Sequence, residues 1–118
     1  MPSDVVLLEF CLHEMEEPDR AIRHARSLAS DVVVIDHLPT SKWMWYADEA
    51  TGAARAWVAV AAAGSRRTQS YEGLQRFDDY GALQVKLSAQ GRTSCERIAD
   101  LAGESSIAIP MPYGIALL

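Results

Sequence analysis

Residues 3–39, SDVVLLEFCLHEMEEPDRAIRHARSLASDVVVIDHLP, decide the fold. Within them Asp4-Val-Val-Leu-Leu-Glu-Phe10 and Asp31-Val-Val-Val-Ile-Asp36 are apolar runs, and Pro18 to Leu28 between them has helical periodicity. Two such runs joined by a crossover of this length read as adjacent parallel strands of a βαβ unit, buried on both faces. The crossover is expected to be right-handed, which brings the ends of both strands to one edge of the sheet. Glu9, His13 and Glu14 follow the first strand, and Asp36 and His37 close the second. Open α/β sheets bind ligands outside the carboxyl ends of their strands. A ligand site is therefore expected on the edge formed by Glu9, Phe10, Leu12, His13, Asp36 and His37.

The helix between the strands has clear start signals. Glu16 and Glu17 precede Pro18, and proline suits a first helical position because its missing N–H would be unpaired there anyway. Arg20, Arg23 and Arg26 fall toward the other end, where the helix dipole favours cations. Ala21, Ile22, Ala25 and Leu28 form the stripe for the sheet. Thr40 or Ser41 can cap a second, long helix running to about Ala63, with Gly64 as its stop. Its expected buried face is Trp43, Tyr46, Ala47, Ala50, Ala54, Trp57, Val58 and Ala61, with Trp45, Asp48, Glu49 and Arg55 off that face and a bend at Gly52. Ser65 to Phe77 reads as a polar connection, with Gln75-Arg76-Phe77 folding over the site edge. Asp78 resembles an N-cap for a helix from Asp79 to about Gln90, ended by Gly91, and a further helix spans about Ser94 to Leu101. The tail, with apolar runs on either side of Pro110-Met-Pro112, is expected to form a β-hairpin.

Composition bounds the function. A chain of 118 residues, 49% hydrophobic, reads as one domain. A net charge of −5 gives no electrostatic reason to expect nucleic acid as a partner. Cys11 and Cys95 are too few and too far apart for a disulfide framework or zinc ribbon, and Cys11 reads as a small buried hydrophobe. Met1-Pro-Ser-Asp4 lacks the basic start of a signal peptide, and no apolar stretch is long enough to span a bilayer. No membrane partner is expected, and the expected compartment is the cytoplasm.

The same 37 residues carry a family resemblance. An Asp-led strand (Asp4 to Phe10), a short loop Leu12-His13-Glu14, a helix with the stripe Ala21 to Leu28, and a strand Val32 to Asp36 ending in an acidic residue occur in that order. This resembles the middle of a class I S-adenosylmethionine-dependent methyltransferase. The likeness covers residues 3 to 40 closely and the remainder in outline. The family holds its cofactor on a glycine-rich turn after the first strand, with an acidic residue after the second. The seven glycines here lie too far apart for a G-x-G turn. On the resemblance, the chain starts where the family's fourth strand starts, so the expected architecture is a single partial domain over 1–118. That architecture is α/β, the C-terminal half of a Rossmann-like methyltransferase sheet.

The resemblance implies S-adenosylmethionine as cofactor and a small-molecule methyl acceptor as substrate. The loop after the first strand would pass the reactive methyl group, making His13 and Glu14 the catalytic candidates. Glu9, Phe10, Leu12 and His13 would line the cofactor, and Asp36, His37 and Trp45 the acceptor. His13, Glu14, Asp36 and His37 are nitrogen and oxygen donors, but their spacing matches no recognised metal motif, and no metal is expected. The expected partner is a second copy of the chain, as a homo-oligomer such as a dimer, or a missing N-terminal half. Two other readings stand beside methyl transfer. SDVVVIDHLP superficially resembles the phosphoacceptor strand of a receiver domain, with Asp36 as acceptor, although the acidic pair and following lysine of that fold are wanting. A non-enzymatic α/β interaction domain that self-associates through an unpaired first strand is the third.

Overall fold

The computed structural model describes residues 3–118; Met1 and Pro2, the start of the segment read above for a signal peptide, lie outside the described residues. Strand β1 is Ser3–Glu9, helix α1 Pro18–Leu28 and strand β2 Ala29–His37. β1 and β2 pair in parallel, with Val6 opposite Val32 and Leu8 opposite Val34. The sheet continues β1-β2-β6-β3, where β6 (Tyr113–Leu117) runs antiparallel to both β2 and β3 (Arg67–Tyr71). Chain direction thus reverses beside β2. The architecture is mixed α/β with a parallel pair and flanking helices.

Side-chain alternation sorts the sheet into two unequal faces. Val6, Leu8, Val32, Val34 and Ala116 meet Ile22 and Ala25 of α1 and Ala56, Ala59 and Val60 of α3 (Ala50–Ala63) in one core. The other face holds Val5, Leu7, Val33, Ile35, Ile115 and Leu117, which register places side by side. Val5 and Leu7 there are 51% and 52% exposed, and the rest are only half-buried. The expectation of burial on both faces is corrected: one face is packed and its apolar reverse is open.

A second core lies beside the first and gives the molecule its elongated outline of 53 × 24 × 24 Å. It gathers Trp43, Met44, Tyr46 and Ala47 of α2 (Lys42–Ala47), Leu83 and Leu87 of α4 (Tyr80–Leu87), Ile98, and Ile107 and Ile109 of β5 (Ile107–Pro110). β5 pairs with β4 (Leu74–Phe77), so the expected polar connection is two strands. The expected C-terminal hairpin is likewise corrected. β5 turns its two isoleucines into the second core, while β6 places Gly114 and Ala116 under α3, and the Met111-Pro112 link carries the chain from one sheet to the other. Asp79, rather than Asp78, caps α4 through its side chain on Ala82 N at 2.8 Å. Helix α5 (Arg92–Arg97) continues as a 3₁₀ turn over Ile98–Leu101.

The expected single helix from 41 to 63 breaks at Asp48, not at Gly52. Asp48 sits in the left-handed region at φ 59°, its N–H donating to Trp45 O, while Glu49 N–H donates to Met44 O at 2.9 Å. This crossed pair is a Schellman stop, and aspartate is among the few residues that accept its geometry. The break re-phases α3, so that Ala53, Ala56, Ala59 and Val60 are buried where Ala54, Val58 and Ala61 were expected. Gly52 serves close approach instead: a Cβ there would lie 2.2 Å from the carbonyl oxygen of His13. In an open helix, Gly→Ala stabilises by about 1 kcal/mol. Here the clash reverses the sign, and Gly52→Ala is expected to destabilise by about 1–3 kcal/mol in urea titration. A stabilised variant would show that α3 is not seated on the His13 backbone.

Candidate functional site

Asp36 occupies the penultimate position of β2 with no exposed surface. A buried carboxylate is costly unless hydrogen-bonded, and this one accepts three times. His13 N–H donates to Oδ2 at 2.9 Å, His13 Nδ1 lies 2.7 Å from Oδ1, and His37 N–H donates to Oδ1 at 2.7 Å. The loop after β1 is folded around it: Leu12–Glu14 forms a 3₁₀ turn whose His13 is buried against β2. On the far side of the ring, Nε2 lies 2.8 Å from Glu49 Oε2 and 3.9 Å from Glu14 Oε1. Glu49 stands there because the left-handed stop at Asp48 immediately precedes it.

The three residues form a carboxylate–imidazole–carboxylate chain. Burial alone would lower the pKa of His13, but the hydrogen bonds and charges of Asp36 and Glu49 outweigh it and hold the ring up at about 10. The bond from His13 is the foremost reason that Glu49 is held below the usual carboxylate range. His37 is opposite in character. Burial first, and then the neighbouring His13 charge, push it down, and its Nδ1 is buried without a partner among the described residues. Its ring packs 4.8 Å from Phe10 and 5.2 Å edge-on to His13, and Trp57 Nε1–H donates to its carbonyl at 2.8 Å. Phe10 takes φ 50°, which bulky residues rarely adopt. That conformation ends β1 while its N–H still donates to Ile35 O at 2.7 Å.

A cavity of about 210 Å³ opens over this chain, between the two cores. Phe10, His13, Glu14 and His37 line it from the sheet side, Trp43, Met44, Ala47 and Glu49 from α2 and its stop, and Lys86, Leu87 and Gln90 from α4 and the turn after it. An adjoining recess of about 260 Å³ adds Gln75 and Met111 to Phe10, His37, Trp43 and Lys86.

The structure brings together Phe10, His13, Glu14, Asp36 and His37 of the expected site. Three expected residues fall elsewhere. Leu12 has no exposed surface and belongs to the first core, so it is corrected from a cofactor contact to a packing residue. Glu9 is exposed at the end of β1 and does not line the cavity. Trp45 lies on another face of α2, under Lys42 Nζ at 4.1 Å and the Arg97 guanidinium at 4.8 Å, and Trp43 is the tryptophan that lines the cavity. Cys11 is half-buried rather than interior. Glu49, Lys86 and Gln90 reach the site through the helix break and the packing of α4, and Trp43 borders the cavity from the buried face of α2 expected for it. The Asp48-Glu49 pair was the one local signal.

No protein-family model and no curated protein matches the chain. Among solved structures, the plantazolicin methyltransferase BamL, in complex with a triazolic desmethylPZN analog and SAH, is similar at 10% identity and a TM-score of 0.43. The match covers 98% of this chain and 53% of that one, so the chain spans about half its length. A likeness at this level carries no argument about the chemistry of the site.

The network makes a direct prediction. Asp36→Asn replaces one acceptor oxygen by an amide that faces an N–H donor, leaving buried groups unpaired. Breaking a buried charged network costs about 3–5 kcal/mol, so a loss near 3 kcal/mol is expected from the urea midpoint at constant m. A loss below about 0.5 kcal/mol, the range of an ordinary surface change, would contradict the network.

Proposed function

We propose that the chain supplies one half of a methyltransferase-type site, acting in S-adenosylmethionine-dependent methyl transfer to a small-molecule acceptor once the sheet is completed. The observation that carries this reading is the coincidence of two features. A polar, pocketed cluster lies at the carboxyl ends of the parallel pair β1 and β2, and the same sheet has an open edge and an open face. β1 is an edge strand, and the face bearing Val5, Leu7, Val33 and Ile35 lacks a full covering. The loop resemblance of residues 3–40 supplies the reaction class.

The fit to the cofactor is one-sided. Phe10 and His13 offer one wall, Glu9 stands exposed at the strand end beside it, and Leu12 is withdrawn into the core. No glycine turn stands opposite them within this sequence. The opposite wall therefore belongs to further polypeptide that pairs with β1 and covers the open face. Burying an apolar side chain fully is worth about 1.5–3 kcal/mol, so Val5 and Leu7, each about half exposed, favour that pairing, or association of copies when the complement is lacking. On the acceptor side, Asp36 and Glu49 hold His13 as a cation that positions the acceptor, and the exposed Glu14 carboxylate beside it receives the proton the acceptor gives up. His37 and Trp43 wall the acceptor. The main contribution of such a site is alignment. The open edge equally favours a non-enzymatic interaction domain, which would associate in the same way but take up no cofactor.

Sedimentation and calorimetry test the reading. The chain alone is expected to associate with rising concentration and to show no tight S-adenosylmethionine binding. Co-expression with a polypeptide carrying a glycine-rich strand–turn–helix encoded beside it is expected to yield a complex that binds at micromolar concentration. A monodisperse monomer that binds the cofactor unaided would contradict the proposal, and a stable complex that never binds would favour the interaction domain.

A further inference from the structure

We propose that His13 Nε2, Glu14 and Glu49 form a binding site for one divalent first-row transition-metal ion, with Asp36 as its outer carboxylate. The site shares His13, Glu14 and Glu49 with the acceptor side proposed above, but its metal binding is measured without any methyl transfer. One ligand atom from each of the three residues lies within 4.8 Å of the other two. Zinc bonds of about 2.0–2.2 Å in a tetrahedral array place neighbouring donors about 3.4 Å apart. The Nε2 distances of 2.8 Å to Glu49 and 3.9 Å to Glu14 fall either side of that value.

The rest of the arrangement is what a coordinating histidine requires. Ligating imidazoles commonly give their other nitrogen to a carboxylate, which fixes the ring and raises its basicity. Asp36 holds Nδ1 in that way at 2.7 Å, leaving Nε2 for the ion. Asp36 cannot itself swing onto a metal without releasing the N–H groups of His13 and His37. This decides against the alternative grouping of His13, Asp36 and His37, which is also close but wholly buried. Glu14, with a side chain 68% exposed, opens the chosen site to solvent.

One imidazole and two carboxylates suit zinc, iron or manganese better than thiophilic ions. Three protein donors leave a fourth tetrahedral position open, the pattern of zinc sites that bind water or substrate. A recess of about 460 Å³ beside His13, Glu14 and Glu49 provides the room. The ion would take the place of the Nε2 proton and the Nε2–Glu49 contact would lengthen to accommodate it. Sequence spacing could not announce the set, because Glu49 is remote from His13 along the chain.

Zn²⁺ and Co²⁺ are the probes, titrated into the chelator-treated chain with calorimetric and visible-absorption readouts. One ion per chain is expected at micromolar concentration or below, with Co²⁺ giving tetrahedral d–d bands. Losing an outer carboxylate already costs about 10–100-fold in affinity, so Glu14→Gln and Glu49→Gln are each expected to weaken binding at least roughly tenfold. Glu14 is exposed, which makes its variant safe for folding, and circular dichroism checks the other. His24→Ala and Cys95→Ser, at exposed positions, are expected to bind as the parent does. Absence of one-to-one binding by the parent chain would overturn the site, as would unchanged affinity in a folded Glu14→Gln or Glu49→Gln variant.

Discussion

A carboxylate sealed from solvent at the end of β2 organises the rest of this molecule. Asp36 has to be hydrogen-bonded where it lies, and its three donors come from its own successor and from the loop after β1. Satisfying it folds Leu12–Glu14 into a 3₁₀ turn, drops Leu12 into the core and presents the His13 ring to α3. Gly52 then allows α3 to approach the His13 carbonyl, and the stop at Asp48 sets Glu49 against the outer nitrogen. Backbone geometry, packing and site chemistry here answer to one desolvated charge.

The parts of the fold legible in the sequence are those with unbroken periodicity. β1, α1 and β2 could be read because their apolar runs and the proline start of the helix agree with one another. β3 was illegible for the opposite reason: Arg67-Thr-Gln-Ser-Tyr71 is exposed throughout, an edge strand held by its backbone pairing with β6 rather than by an apolar pattern. The helix break at Asp48 depends on one residue entering the left-handed region, which periodicity cannot register, so the seating of Glu49 against His13 has no signal in the pattern. Ile107 and Ile109 looked like partners of β6 because they are near it in sequence, yet the second core claims them.

The site lies where the two cores meet, and this explains its mixed lining. The sheet side contributes the titratable groups, fixed by strand register, and the α2–α4 side contributes Trp43, Leu87, Lys86 and Gln90, which shape the cavity. His13 and His37 sit 5.2 Å apart yet are driven in opposite directions, one toward the charged form by two carboxylates and the other toward the neutral form by burial. The open reverse of the sheet is a separate constraint, since an apolar face of this kind is rarely left in water.

The bond between Asp36 and His13 is the central element of this account, and a double-mutant cycle measures it. Asp36→Asn, His13→Gln and the double variant are compared by urea unfolding, so that packing losses common to each residue cancel. Residues sharing one buried network show coupling of about 0.5–3 kcal/mol, and a value above about 1 kcal/mol is expected here, because His13→Gln removes the ring contact to the desolvated carboxylate while the backbone N–H contact remains. Additive losses, with coupling near zero, would mean that the loop and β2 are held by other forces and that the site is not organised by Asp36.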